Sequence, residues 1–208
     1  MDNLVVVDYG AGNLRSVEKA LASLGYEPLV TSDPSDVVRA SAVILPGVGA
    51  AGQIMGSLRR LGMDEAVTDY IASGRPFFGV CMGMQVLFDW SEEDGGQSCL
   101  GVLPGRVRRL GTGVKVPHMG WNAVSQRAEH PMWQGVPDDT YFYFVHSYVV
   151  EPSDAAVQAG STEYAGSFTS AVARGNLFGT QFHPEKSGRL GLCLYRNFVE
   201  WASTSSPR

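Results

Sequence analysis

PFFGVCMGMQ, residues 76–85, joins an apolar run to a helix-forming run through a single cysteine. The apolar half predicts a buried strand, and Met84–Asp89 predicts a helix. Gly79 and Gly83 lie two residues on either side of Cys81. This spacing is typical of a nucleophile elbow with sulfur in place of the serine oxygen, a turn in which side chains at the two glycine positions would collide with backbone. We therefore expect a strained Cys81 with an exposed side chain, whose thiolate is favoured by the N-terminal end of the helix.

A second strand end supplies the groups that a nucleophilic cysteine needs. LFGTQFHPEK, residues 177–186, is an apolar strand followed by His183 and, two positions later, Glu185. Cysteine is only a few per cent thiolate at neutral pH, so it benefits from a base, and a carboxylate can orient that base. His183 and Glu185 fill these roles if Pro184 between them forms a rigid, extended turn. Alone, the cysteine segment fits an ordinary buried cysteine equally well, and a His-x-Glu pair is more often a solvated loop end. Together, the two segments favour a catalytic site.

The composition is that of one globular domain. Of the 208 residues, 44% are hydrophobic and 18% are charged, which is enough to build one well-buried core. A net charge of −5 argues against nucleic-acid binding, and no apolar run approaches the ~20 residues that span a bilayer. Cys81, Cys99 and Cys193 form no CxxC pair, and the four histidines have no zinc-like spacing. We expect a cytoplasmic protein with reduced thiols, without metal or cofactor, that binds neither nucleic acid nor membrane.

The first half of the chain alternates strands with helices, which predicts a mostly parallel sheet flanked by helices. The predicted elements are strands at Leu4–Asp8, Pro28–Thr31 and Ala42–Leu45 and helices at Leu14–Leu24, Pro34–Ala40, Ile54–Leu61 and Met63–Ser73. Short β-rich pieces over residues 101–182 predict a smaller antiparallel section, with a hairpin at Arg174–Leu177. A last helix, Leu190–Trp201, precedes a Ser/Thr tail that we expect to be flexible from about residue 202. We expect residues 1–208 to form a single α/β domain.

A glycine-rich loop, Pro46–Gly49, follows the strand that ends at Leu45. It should lie at the same sheet edge as Cys81, because both follow the carboxyl ends of predicted parallel strands. Ligands of such sheets bind beyond those ends. The loop has no lysine and does not match a phosphate-binding P-loop. Its glycines instead allow a backbone N–H to approach a reacting carbonyl as half of an oxyanion hole, although an ordinary turn would be preferred without Cys81. The candidate donors are the backbone N–H groups of Met82, Gly47, Val48 and Gly49.

The cysteine and histidine segments resemble the two signatures of class I (triad-type) glutamine amidotransferases. Further segments, spread in family order over nearly the whole chain, narrow the resemblance to the glutaminase subunits of imidazole glycerol phosphate synthase. Met82 stands where leucine is expected, at a position that contributes a backbone N–H rather than a side chain. The segments are Asp8–Asn13, Pro46–Gly49, Pro117–Asn122, Val145–Tyr148 and His183–Gly188.

The resemblance implies the class I amidotransferase fold and a reaction. L-glutamine would be hydrolysed to glutamate and ammonia through a cysteine thioester, with Cys81, His183 and Glu185 as the catalytic triad. The ammonia would pass to a partner, a cyclase subunit of (β/α)8-barrel fold, that makes imidazole glycerol phosphate and an aminoimidazole carboxamide ribotide. We expect slow hydrolysis by the chain alone and faster hydrolysis when the partner reorients the glycine-rich loop.

Glutamine-binding positions are also implied by the resemblance. The aromatic run before His146 is by itself more typical of a core than of a binding site, and His118 is a weaker candidate that fits a structural role equally well. The matching positions are Gln85, His146, Ser147 and Tyr148.

Three other functions stay open at this stage. The chain fits a glutaminase subunit of an anthranilate- or aminodeoxychorismate-type synthase, against which the resemblance of Asp8–Asn13 and Pro117–Asn122 argues. It also fits a stand-alone γ-glutamyl hydrolase or cysteine peptidase, which the partner-type motif Lys186–Gly188 disfavours modestly. A regulatory subunit with a decayed site is the third, and the intact Cys81 and His183 argue against it.

Overall fold

The computed structural model describes residues 3–10 and 13–205, which form thirteen strands and six α-helices. Ala11 and Gly12, within the motif that begins at Asp8, lie outside the described residues. In chain order the elements are β1 (Leu4–Val7), α1 (Leu14–Ser23), β2 (Leu29–Thr31), α2 (Pro34–Arg39), β3 (Ala42–Leu45), α3 (Ala51–Leu61), α4 (Met63–Ala72), β4 (Phe77–Val80), α5 (Met82–Gln85), β5 (Phe88–Ser91), β6 (Gln97–Ser98), β7 (Leu103–Arg109), β8 (His118–Gln126), β9 (Thr140–His146), β10 (Tyr148–Pro152), β11 (Gln158–Glu163), β12 (Ser167–Arg174), β13 (Leu177–Thr180) and α6 (Gly188–Ser205).

The parallel part of the sheet has the strand order β2–β1–β3–β4–β13. Strands β1, β3, β4 and β13 are buried along their whole length, as expected when helices cover both faces of a parallel sheet. The helices fall into two packed groups, α1 with α6, and α2 and α3 with α4. The predicted α/β class is confirmed.

Strand β13 brings the distant histidine segment to the cysteine segment. It pairs in parallel with β4, with Gly179 opposite Gly79 and Thr180 opposite Val80. On the other side of β4, Leu45 of β3 lies opposite Gly79. Three neighbouring strands therefore end at one edge, so the glycine-rich loop, Cys81 and the segment after Thr180 leave the sheet side by side.

The antiparallel section extends from β13 to the far side of the sheet. Strands β13 and β12 form the predicted hairpin, in which Arg174 pairs with Leu177. Strand β12 continues through β10 to β7, while β11, β8 and β9 branch from it. Strands β8 and β9 pair over their length, with His118 opposite His146, and end beside the edge that carries Cys81.

The helix predicted at Met84–Asp89 has the wrong boundaries. It begins at Met82, directly after the elbow, and ends at Gln85 after about one turn. Residues 88–91 are instead drawn into β5 by pairing with β6 and β7. Strand pairing contributed by distant parts of the chain overrides a local helical pattern here.

The C-terminal helix is longer than predicted. Helix α6 runs from Gly188 to Ser205, so the tail expected from about residue 202 starts inside a helix. Phe198 and Ala202 are buried in the core, and packing of this apolar face extends the helix into the Ser/Thr-rich sequence. None of the described helices combines the length and apolarity needed to cross a membrane.

Candidate active site

The elbow at Cys81 has the backbone strain that the glycine spacing predicts. Cys81 adopts φ 55° and ψ −110°, outside the ordinary regions for a residue with a side chain. A Cβ at Gly79 would lie 2.6 Å from the carbonyl oxygen of Gly83, and a Cβ at Gly83 would overlap the carbonyl oxygen of Leu45. The Cys81 N–H donates to the carbonyl of Thr180 at 2.6 Å, which ties the elbow to β13.

The Cys81 side chain is buried rather than exposed, with 3% of its surface accessible. The expectation of an exposed side chain is therefore wrong, because neighbouring loops rise around the elbow and place the sulfur in the wall of a cavity. Because α5 is only about one turn long, no long helix begins at the sulfur, and the group that donates to it is the side-chain amide of Gln181.

His183 and Glu185 form a buried pair on the neighbouring strand end. Nδ1 of His183 lies 2.8 Å from Oε1 of Glu185, and each side chain is 2% exposed. The backbone between them is a turn of 3-10 helix at Pro184–Lys186, not the predicted extended turn. The fixed φ of Pro184 suits the first position of a helix, and the Ser187 N–H closes the turn on the Pro184 carbonyl at 3.0 Å.

Two charges outweigh burial at His183. Burial disfavours the imidazolium, but the nearby Cys81 thiolate and the hydrogen-bonded Glu185 carboxylate raise the pKa of His183 to about 10. Nε2 is buried and has no formed hydrogen bond with the described groups, and Cys81 is the strongest influence that raises this pKa. His183 is therefore favoured as an imidazolium beside the Cys81 sulfur, oriented by the Glu185 carboxylate.

A cavity of about 320 Å³ opens at this edge of the sheet. It collects most of the predicted site residues, while Gly47 and Glu185 lie outside its lining. Glu185 stands behind His183, and Gly47 packs on the elbow, where a Cβ would lie 2.6 Å from the Cβ of Met82. The lining consists of Val48, Gly49, Cys81, Met82, Gln85, Glu93, Pro117, Val145, His146, Ser147, Tyr148 and His183.

The predicted oxyanion donors differ in availability. The Met82 N–H donates to no described group. The Val48 N–H donates to the hydroxyl of Tyr9 at 3.3 Å. Gly49 follows with φ 108°, a conformation open mainly to glycine. The Met82 N–H is therefore ready and the Val48 N–H is occupied. The N–H groups of Gly47 and Gly49 donate to no described group.

Gln85 and Gln181 connect the Cys81 sulfur to the cavity wall. Nε2 of Gln181 donates to Cys81 Sγ at 3.5 Å, and Nε2 of Gln85 donates to Gln181 Oε1 at 2.8 Å and to the Tyr148 carbonyl at 2.9 Å. The opposite amide orientation of Gln85 would set oxygen against two acceptors, so this one is required. Oε1 of Gln85 is buried without a partner in the described structure and is free to accept from a ligand.

The two histidines of β8 and β9 form a neutral chain of hydrogen bonds. Burial lowers the pKa of His146 to about 3 and also lowers that of His118. His146 Nδ1 must donate to the Tyr148 carbonyl at 2.9 Å, so its Nε2 accepts from His118 Nδ1 at 2.9 Å. His118 Nε2 then accepts from Asn122 at 3.3 Å. Both ring nitrogens of His146 are therefore used inside the protein.

Sequence reasoning missed three groups at the site. Tyr9 lies two residues after β1, Gln181 directly follows β13, and Glu93 begins a short 3-10 turn, so local sequence patterns gave little signal for any of them. Glu93 lines the cavity and accepts the Ala51 N–H at 2.7 Å, and burial raises its pKa. The signal available in the sequence was a polar residue inside or just after a buried strand, which for Gln181 lies two positions before His183.

The arrangement suits acyl transfer through a thioester. It supplies a nucleophile, a protonated histidine with an orienting carboxylate, and a free backbone donor for an oxyanion. In the described part of the chain, no group of three His, Cys, Asp or Glu side chains could hold a metal ion.

Comparisons with known proteins agree with this chemistry. The family described as "Glutamine amidotransferase class-I" matches residues 5–201. The imidazole glycerol phosphate synthase subunit HisH of Dehalococcoides mccartyi (strain CBDB1) is 51% identical over 199 residues, covering 96% of this chain and 97% of that protein. The subunit HisH of Aromatoleum aromaticum is 50% identical over 213 residues, covering 97% and 100%. A crystal structure described as a glutamine amidotransferase shares the fold, with a TM-score of 0.76, 23% identity and coverage of 96% and 98%.

Proposed function

Because the chain belongs to the class-I glutamine amidotransferase family, we propose that it is the glutaminase subunit of an imidazole glycerol phosphate synthase. The observation that carries the proposal is the meeting of the strained Cys81 elbow with the buried His183–Glu185 pair beside one cavity. About 50% identity over nearly the full length of the two HisH relatives supports the assignment to this particular synthase.

The first half of the reaction forms a thioester. The Cys81 thiolate attacks the side-chain amide carbon of L-glutamine, and the carbonyl oxygen becomes an oxyanion held by the Met82 N–H and one from the glycine-rich loop. The protonated His183 gives its proton to the amide nitrogen as the carbon–nitrogen bond breaks. Ammonia leaves, and the γ-glutamyl group stays on sulfur.

The second half regenerates the enzyme. Neutral His183, kept in orientation by Glu185, takes a proton from a water molecule that attacks the thioester carbonyl. Collapse of the tetrahedral intermediate releases glutamate and the Cys81 thiolate, with the proton left on His183. The sum is glutamine and water to glutamate and ammonia. No cofactor enters this sequence of steps.

Two cavity groups suit the amino-acid end and the amide of glutamine. The Glu93 carboxylate is a cation acceptor in the cavity wall, which favours an α-ammonium group. The free Oε1 of Gln85 is placed to accept an N–H from the substrate. Ser147 and Tyr148 line the same cavity and remain the predicted contributors from the end of β9 and the start of β10.

The partner is a cyclase subunit, for which we retain the (β/α)8-barrel fold as a proposal. This chain exposes a surface that is suited to binding such a partner. Met119, Trp121 and Tyr141 are 61%, 54% and 61% exposed and lie on one face of the β8–β9 ribbon. Large apolar side chains exposed together mark protein interaction sites. The β9 strand ends at His146 in the cavity wall, so this aromatic face (Met119, Trp121, Tyr141) adjoins the source of ammonia. Three free thiols suit the reducing cytoplasm, where we place the complex.

The relatives disfavour the alternatives that the sequence left open. Both are named as subunits of imidazole glycerol phosphate synthase, and not as subunits of other synthases or as free-standing hydrolases. A decayed regulatory subunit is disfavoured because Cys81, His183 and Glu185 are all present at one edge of the sheet, with a buried 2.8 Å contact between His183 and Glu185.

Ammonia release from glutamine tests the proposal. We expect slow release by the chain alone and faster release with an imidazole glycerol phosphate synthase cyclase subunit, but not with an anthranilate or aminodeoxychorismate synthase subunit. A rate of ammonia release that no synthase subunit changes would favour a free-standing hydrolase. Absence of release under all conditions would contradict the glutaminase assignment.

A further inference from the structure

We propose that Tyr9 is a positioning residue that restrains the glycine-rich loop, because its hydroxyl accepts the Val48 N–H that the oxyanion hole requires. The inference rests on the proposed glutaminase function and adds to it the residue that keeps the isolated chain slow.

Tyr9 is buried, and within the described part of the chain its hydroxyl has one partner. The side chain follows β1 and is 1% exposed, so its ring has little freedom to move. The hydroxyl oxygen accepts the Val48 N–H at 3.3 Å, and the hydroxyl hydrogen has no acceptor among the described groups. Burial raises the pKa of Tyr9, and the nearby Cys81 charge raises it further, so the neutral phenol lies close to the nucleophile.

The bond to Tyr9 competes with the reaction for the same donor. Val48 lines the cavity together with Met82, whose N–H is free. One N–H cannot donate at full strength to the phenol and to an oxyanion at once. The resting site thus offers the Met82 N–H but not the Val48 N–H, which becomes available when the bond to Tyr9 breaks.

The loop can make this exchange at small steric cost. Val48 stands between Gly47 and Gly49, and Gly49 already has φ 108°. Peptide planes beside glycine rotate readily, and a rotation of the Gly47–Val48 peptide must give up the hydrogen bond to Tyr9. Removing the hydroxyl while keeping the ring should release the donor.

The test compares Tyr9→Phe with Tyr70→Phe in the isolated chain. Tyr70 is an equally buried tyrosine whose hydroxyl donates to the Pro76 carbonyl at 3.1 Å, at the opposite end of β4 from Cys81. Steady-state glutaminase kinetics should show kcat raised about fivefold for Tyr9→Phe with KM unchanged, which corresponds to about 1 kcal/mol. Tyr70→Phe should leave both constants as in the wild type. In the complex with cyclase and its nucleotide ligand, Tyr9→Phe should match the wild type, because Val48 is already released there.

A lower kcat for Tyr9→Phe in both the isolated chain and the complex would overturn the inference, because the phenol would then assist the oxyanion instead of restraining the loop. An unchanged kcat in the isolated chain would overturn it as well. A fluorinated tyrosine at position 9, a weaker acceptor of the same shape, should give a smaller increase and covers the case in which Tyr9→Phe does not fold. If the wild type itself releases no ammonia in any state, the proposed function fails; if it does and the position 9 variants match it, only the role of Tyr9 fails.

Discussion

The two sides of the cavity differ in how firmly the surrounding structure holds their functional groups. On the triad side, Cys81 and His183 leave paired strands, the elbow is closed by a 2.6 Å hydrogen bond to β13, and Glu185 is buried behind the histidine. On the oxyanion side, Val48 lies in a loop between two glycines and its N–H is bound to Tyr9 at 3.3 Å. The triad is already assembled in this structure, whereas stabilisation of the transition state depends on a loop whose peptide planes can rotate. A partner that acts on this loop can control the rate without rebuilding the triad.

The largest effect should come from the nucleophile. Cys81→Ala should reduce glutamine hydrolysis on the order of 10⁶-fold, as loss of a triad nucleophile does elsewhere. A glutamine-analogue electrophile should label Cys81 and spare Cys99 and Cys193, and peptide mapping of the adduct measures this. Burial raises the pKa of Cys99 to about 11, which makes it a poor nucleophile at neutral pH. An adduct on Cys99 or Cys193 with Cys81 unmodified would move the active site elsewhere.

The histidine and its orienter should differ in effect. His183→Ala should lower kcat by roughly 10³-fold or more, because it removes both the base and the proton donor. Glu185→Gln should cost less, because an amide oxygen can still accept from Nδ1 and keep the ring partly aligned. Single-turnover measurement of thioester formation and hydrolysis would separate the two steps. If His183→Ala keeps most of its turnover, the base must be sought elsewhere, and His146, whose ring nitrogens are both engaged, would have to be reconsidered.

A smaller effect is expected at the aromatic face. Trp121→Ala should weaken binding of the cyclase subunit by about 10- to 30-fold, since buried aromatic anchors carry much of the energy of an interface. Its glutaminase rate in the isolated chain should not change, because Trp121 is not among the residues that line the cavity. Trp90, also partly exposed but on β5, provides the matched control. Titration calorimetry that shows equal affinity for the Trp121→Ala chain and the wild type would place the interface elsewhere.

The smallest effect should appear in stability against pH. The folded pKa of His183, about 10, lies above its ordinary value near 6.5, so its contribution to the free energy of unfolding is complete below pH 6.5 and is lost as the pH rises towards 10. Glu185→Gln removes part of this contribution. Urea titrations should therefore show the wild type ahead of the variant at pH 6, with the gap closing by pH 10. Glu200→Gln, on an exposed position of α6, should show no such trend. If the difference in the free energy of unfolding between the wild type and Glu185→Gln widened as the pH rises, the predicted contribution of His183 would have the wrong sign.

The sequence was informative where the constraint is local. Glycines two residues from Cys81 predict the elbow because only short-range backbone contacts forbid a Cβ there, and the structure confirms those contacts. The sequence predicted only that the two polar strand ends form one site; the parallel pairing of β4 with β13, which brings them together, is a finding of the structure. The 3-10 turn at Pro184–Lys186 was missed because proline permits both that turn and an extended one.

Tertiary contacts account for the other misses. Tyr9 reaches Val48 across 39 positions and Gln181 reaches Cys81 across 100, so no window of sequence contains either contact. Helix α5 ends early because the next segment, β5, pairs with β7. Helix α6 is long because its apolar face packs in the core. The sequence singled out Cys81, His183 and Glu185, which the structure brings together. It did not single out Tyr9 or Gln181, which contact the glycine-rich loop and the sulfur.

Turnover measured beside thiol alkylation tests most directly the claim that the triad is assembled and the oxyanion side is not. Alkylation of Cys81 by iodoacetamide needs the thiolate but no oxyanion hole, while glutamine hydrolysis needs both. Both rates would be measured for the isolated chain, for its complex with the cyclase subunit, and for the complex with the cyclase nucleotide ligand. We predict that alkylation stays within about threefold across the three states while glutamine turnover rises roughly 10²-fold or more, the effect of gaining one oxyanion donor. Alkylation that rises in parallel with turnover, or turnover that is equal in all three states, would contradict the account.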